Sequence, residues 1–131
     1  MKIDLTYAES ETYFHNALCN GLQELYHYNL ELEYSDKEYK EAKKHLISNS
    51  GNEASVCYED VLLEMLRMGF IITLVDIDNN EDPRSITLED VHYRVSLTPT
   101  RHLMNMINQE DDAVTADVIL QTVFLENIIY G

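Results

Sequence analysis

The chain is poor in the residues that most site chemistry needs. Its 131 residues include only four glycines, so no glycine-rich loop exists to cradle a phosphate through backbone N–H groups. Lys and Arg number nine against 24 Asp and Glu, a formal charge of −15. That field repels phosphate backbones and anionic bilayers, so neither direct nucleic-acid binding nor membrane binding is expected. No run approaches the roughly 18 apolar residues of a membrane helix, and Met1–Tyr7 lacks an apolar signal-peptide core. A soluble, cytoplasmic protein is the expectation. Cysteine is limited to Cys19 and Cys57, with no CxxC pair and no evident histidine partner. Both fall in stretches that read as helical and apolar, so they are expected to be reduced, buried thiols. The acids after Cys57 in Tyr58-Glu59-Asp60 would keep its pKa high, so no nucleophilic role is expected.

What is present is apolar. At 45% hydrophobic residues the chain can bury enough surface to offset its conformational entropy despite its charge, and its length suits one domain spanning residues 1–131. Phe14, Ala17, Leu18, Leu22 and Leu25 recur at helical spacing and predict a helix over 10–29. Residues 28–34 alternate as a half-buried strand does. Ser35 and Glu38 form a capping-box pattern for a helix from Asp36 to about Ile47, and Ser48–Asn52 reads as a loop. Ser55 reads as the cap of a helix over 56–68 that Gly69 stops. The β-branched run 70–75 and the segment 84–87 predict an antiparallel hairpin. Thr87 and Asp90 frame a short helix, Thr98-Pro99 opens another, and Glu110-Asp111-Asp112 precede a nearly all-apolar helix expected to be the buried centre. Ile128–Tyr130 reads either as its continuation or as a terminal strand. The expected fold is therefore α+β: one domain with about six helices and an antiparallel hairpin near residues 70–87.

Several groupings suggest chemistry and then fail. Asp76-Ile77-Asp78-Asn79-Asn80-Glu81 opens like a calcium loop, but Glu81 stands where a turn glycine is needed and Thr87 where a bidentate Glu is needed. Glu24 with His27 and Glu89 with His92 echo the Glu-x-x-His pairs of di-metal bundles, yet Glu24 and His27 point away from their helix's apolar stripe. His102, Asp90 and a serine lack any nucleophile motif. No catalytic residue, metal ligand or cofactor is assigned. Nine tyrosines without tryptophan suit both core borders and interfaces, with core borders favoured.

Charge is uneven: residues 51–131 hold 15 acids and four bases, residues 1–50 nine and five. Asp90, Asp111 and Asp112 suit helix N-termini, whereas Asp76, Asp78, Glu81 and Asp82 have no evident structural reason. The segments Cys57–Leu62, Ser85–His92 and Thr115–Phe124 resemble a family of small acidic proteins of phages, prophages and gut-bacterial genomes. The resemblance covers most of the chain and implies an accessory role in a bacterial or phage setting, with no catalytic or binding residue to carry over. The expected function is a non-enzymatic protein that docks through Asp76, Asp78, Glu81, Asp82 and Glu89 onto a basic partner surface, including one that ordinarily holds nucleic acid. One alternative is a metal-dependent protein or enzyme using Glu89, His92, His102 and the Asp76–Asp82 loop. Another is a charge that serves solubility alone.

Overall fold

A helix that is apolar on most of its circumference is stable in water only when other elements surround it. The computed structural model describes residues 3–79 and 81–130. In it the most apolar segment forms helix α6 (Ala113–Leu125), and every residue from Thr115 to Leu125 is buried. Its start is set as its acids suggest, because the Asp112 carboxylate accepts from the Thr115 N–H at 2.9 Å. Glu126, left-handed at φ 61°, ends it.

Helix α1 (Tyr7–His27) makes the most extensive contact with α6. It begins three residues before Ser10, because Thr6 and Glu9 cap each other's backbone N–H groups at 2.9 and 3.1 Å. Phe14 faces Phe124 across the pair with ring centroids 6.2 Å apart. Gly21 lies directly over Ala116, where an added Cβ would sit 2.9 Å from the Ala116 Cβ.

After α1 the chain forms strand β1 (Leu30–Glu33), the extended segment that the alternation predicts. Helix α2 (Asp36–Ser50) is capped by Ser35, which accepts from the Glu38 N–H at 3.3 Å; Glu38 does not return the bond. The helix runs through the expected loop at Ser48–Ser50 because the first left-handed residue is Gly51, at φ 71°. A single 3₁₀ turn, Glu53–Ser55, then shifts the next start two residues later than predicted, so that Cys57 rather than Ser55 stands at the N-terminus of helix α3 (Tyr58–Arg67). Strands β2 (Ile72–Asp76) and β3 (Arg84–Ile86) form the expected hairpin, and β1 adds to it in an antiparallel sheet of order β1-β2-β3. Leu32 is opposite Leu74, and Ile72 opposite Ile86.

Helix α4 (Leu88–Arg94) starts at the Thr87–Asp90 capping box and passes through a 3₁₀ turn at Val95–Leu97 to helix α5 (Thr100–Ile107). Pro99, not Thr98, occupies the cap position of α5. The Thr98 N–H bonds back to Val95 at 3.1 Å, which turns its side chain inward, and its hydroxyl is buried without a hydrogen-bond partner. The result is a single α+β domain with six helices and a small three-stranded sheet among the described residues. No helix among them is long and apolar enough to cross a membrane.

Residues 128–130 are neither helix nor strand. Gln121, fully buried in α6, accepts from the N–H groups of Ile129 and Tyr130 at 2.8 and 2.9 Å and donates to the Tyr130 carbonyl at 3.1 Å. One side-chain amide thus does for 129–130 what a neighbouring strand would do. Gln121 also donates to Asp117 at 2.9 Å, and Tyr28 donates to the same carboxylate at 2.8 Å, so no oxygen or nitrogen of this buried group is wasted. Burial first, then the Asp117 carboxylate, push the Tyr28 phenol up to about 12.

Gly21→Ala should test the α1–α6 contact. Alanine is the better helix former by about 1 kcal/mol, but its methyl meets backbone as well as side chain at Ala116, and overpacking costs about 1–3 kcal/mol. A lower urea midpoint with an unchanged slope is expected; a higher midpoint would show that the helices separate freely.

Candidate functional site

Strand alternation sorts the sheet residues onto two faces. Leu30, Ile72, Leu74, Asp76 and Ile86 turn inward and are buried. Glu31 and Glu33, paired with Val75 and Thr73, turn outward with Ser85, and both glutamates are exposed. Ile71, which precedes β2, and Ile77, which follows it, are each about half exposed, at 49% and 51%. At one end of this open face Glu33, Glu38, Tyr34, Ser35, Ile71 and Thr73 line a shallow cleft of about 320 Å³. None of Glu31, Glu33 and Glu38 takes part in an ion pair among the described residues. Glu31 and Glu33 were missed because a strand of four alternating residues, Leu-Glu-Leu-Glu, does not reveal which face another element will cover, and Glu38 because it read only as part of a helix cap.

The hairpin loop lies at the other end of the face. Asp76, expected to be a free charge, is 4% exposed and accepts from the Tyr130 hydroxyl at 3.2 Å and from the Asp78 N–H at 2.9 Å. Its reason is structural: it stands on the covered face, opposite Leu30, where an unsatisfied carboxylate would be costly. Asp78 is exposed but also tied, accepting from the Asn29 side chain at 3.0 Å, which pins the loop to the turn before β1. Glu81 is half-buried and Asp82 exposed. Asn80, within this loop, lies outside the described residues.

Glu89 is elsewhere. It lines a concavity of about 520 Å³ on α4 with Tyr7, His92 and Tyr93. His92, on the same concavity, donates to Glu11 at 2.8 Å, and its ring stacks on Tyr7 with centroids 4.2 Å apart. Glu11 also accepts from Arg67 at 2.7 Å. His102 is separate again: Arg101 donates to its Nε2 at 3.2 Å, and burial, then the Arg101 charge, lower its pKa. Glu89, His92 and His102 therefore do not converge with the 76–82 loop on any common point among the described residues.

Both cysteines are free thiols, as expected, but they are exposed rather than buried. Cys57 is drawn to the surface by its place at the start of α3, where the Asp60 carboxylate accepts from its N–H at 3.1 Å. Cys19 lies one turn after His15, and His15 reaches across to Asp60 with Nε2 and Oδ1 2.7 Å apart. The i, i+4 spacing of His15 and Cys19 is a signal that the sequence did carry. Most tyrosines do line core borders: Tyr34, Tyr39 and Tyr58 pack together, with a 2.9 Å hydrogen bond between the hydroxyls of Tyr34 and Tyr58. Tyr7 and Tyr93, by contrast, are exposed.

The cations are segregated. Helix α2 holds four of the nine, Lys37, Lys40, Lys43 and Lys44, beside three acids. Outside it the four arginines are each engaged: Arg67 by Glu11, Arg84 and Arg94 by Glu126, and Arg101 by His102. Twenty-one acids against five Lys and Arg thus cover the rest of the chain. Comparison with known proteins finds no matching family model, no matching curated protein and no matching solved structure.

Acid titration should expose the Glu11 junction. Burial raises its pKa, but the hydrogen bonds and charges of Arg67 and His92 outweigh this and hold the carboxyl below its ordinary range. A depressed carboxylate stabilises the fold above its unfolded pKa, about 4.3, and that stability is lost as pH falls through the folded value. Glu11→Gln should therefore be less stable than wild type at pH 7 and lose less on going from about pH 5 to pH 3. Parallel stability curves for the two proteins would refute the assignment.

Proposed function

We propose that this is a non-enzymatic accessory protein that docks, through the acidic outer face of its sheet and the adjoining hairpin loop, onto a basic surface of a partner protein. The observation that carries the reading is the cleft in which Glu33 and Glu38 flank Ile71 and take part in no ion pair among the described residues. Such a surface suits a lysine or arginine side chain, whose aliphatic stem covers the isoleucine while its head meets the carboxylates. Glu31, Asp78 and Asp82 extend the negative strip along the sheet toward the loop, so several cations on one partner can be met together. Complementary fields of this kind raise association rates and set orientation. Asp76 is not part of the surface, and Glu89 lies on a different one.

The resemblance to small acidic phage and bacterial proteins makes a bacterial lysate the natural source of a partner. The test compares capture by wild type, by Glu31→Lys with Glu33→Lys, and by Glu53→Lys with Glu110→Lys, which changes net charge equally at exposed sites away from the sheet. A partner retained at low salt and released at high salt is expected. Its affinity should fall at least about tenfold, or about 1.4 kcal/mol, in the sheet variant and less than about threefold in the control. Equal weakening in both variants, or no salt-sensitive partner, would overturn the reading.

A further inference from the structure

We propose that His15, Cys57 and Asp60 form a binding site for a divalent transition-metal ion of the zinc type. Among the described residues this is the one grouping of His, Cys and carboxylate side chains in which three ligand atoms lie within 4.8 Å of one another. Zinc bonds of about 2.0–2.3 Å in tetrahedral arrangement put ligand atoms roughly 3.3–3.8 Å apart, so small side-chain movements suffice. His15 Nε2 donates to Asp60 Oδ1 at 2.7 Å; an ion would take the place of that proton, the neutral imidazole carrying its proton on Nδ1 instead, and would spread the two atoms.

The ligands are positioned by the backbone around them. Cys57 and Asp60 stand three residues apart at the start of α3, and the Cys57 N–H holds Asp60 Oδ2, which leaves Oδ1 for the ion. His15 comes from α1, and its Nδ1 faces Cys19 Sγ at 3.9 Å, leaving Nε2 as the coordinating atom. Access is open, since Cys57 is exposed and His15 and Asp60 line a concavity of about 200 Å³. Arg67 borders the same concavity, but its charge is met by Glu11 at 2.7 Å and Glu64 at 3.8 Å. Thiolate, imidazole and carboxylate together favour a zinc-type ion over calcium or magnesium, which take oxygen ligands. Coordination deprotonates Cys57, the proton leaving to solvent. Three protein ligands leave a fourth position for water or an incoming group.

The same residues can be drawn as a Cys19–His15–Asp60 nucleophile relay, but burial, with Glu59 adding to it, pushes the Cys19 thiol up to about 11. At neutral pH that sulfur stays protonated, whereas a metal ion supplies its own positive charge to Cys57.

The purified, reduced full chain should be titrated with Co²⁺ and competed with Zn²⁺. One equivalent of Co²⁺ is expected to produce a thiolate charge-transfer band with the visible spectrum of tetrahedral cobalt, and Zn²⁺ should remove both. Because replacing even outer-shell groups typically costs 10–100-fold in affinity, Cys57→Ser and His15→Gln should each weaken binding at least about tenfold. Cys19→Ser should bind within about threefold of wild type and keep the charge-transfer band. Circular dichroism of the metal-free variants shows whether they are folded; Asp60→Asn serves as a further ligand variant should either misfold. Cobalt binding without a thiolate band, binding that survives Cys57→Ser and His15→Gln, or no binding by folded wild type would overturn the proposal.

Discussion

The structure depends on the burial of one helix on all sides. From Thr115 to Leu125 no residue of α6 reaches solvent appreciably, so α1, α4, α5 and the sheet are arranged as its enclosure. Within that enclosure Gly21 lies on Ala116, where the absence of a side chain lets α1 lie against α6. Because a domain of this size has a single core, each surrounding element spends its apolar stripe on α6 and turns its polar side outward. Apart from the buried Glu64, Asp76 and Asp117, the acids of the described residues occupy what the enclosure leaves at the surface.

Enclosing a helix completely also means burying its polar side chains, and these are matched rather than excluded. Asp117 and Gln121 are joined to each other and to Tyr28 and the Ile129–Tyr130 backbone. Tyr130 then reaches Asp76 at the end of β2. A connected polar path therefore runs from the core helix through the chain end to the base of the hairpin loop. The acidic loop is anchored at its first residue, and its remaining carboxylates project from a fixed base.

Two separate surfaces follow. The outer face of the sheet holds isoleucines and carboxylates that take part in no ion pair among the described residues, which suits a basic protein surface. The junction of α1 with the start of α3 gathers imidazole, thiol and carboxylate, which suits a metal ion. They lie on different elements, so loss of one proposed role would leave the other intact.

The legibility of these features follows their range. Period and capping chemistry are local, and they revealed the helices, the hairpin, the Thr87–Asp90 cap, the acidic entrance to α6 and the burial of that helix. Local reading erred by a residue or two where a 3₁₀ turn intervened, at Cys57 and Pro99, because such a turn shifts the cap without altering the apolar pattern. Those small shifts had large consequences: one moved Cys57 from core to surface beside His15. What the sequence determined by itself was which segments fold and which must be hidden. Only the tertiary structure decided that Asp76 is buried while Glu31 and Glu33 are free, and that His15 meets Asp60 across 45 residues. The physical reason is that exposure and proximity depend on which face of an element its neighbours cover, and that is set by packing between distant segments rather than by the period within one.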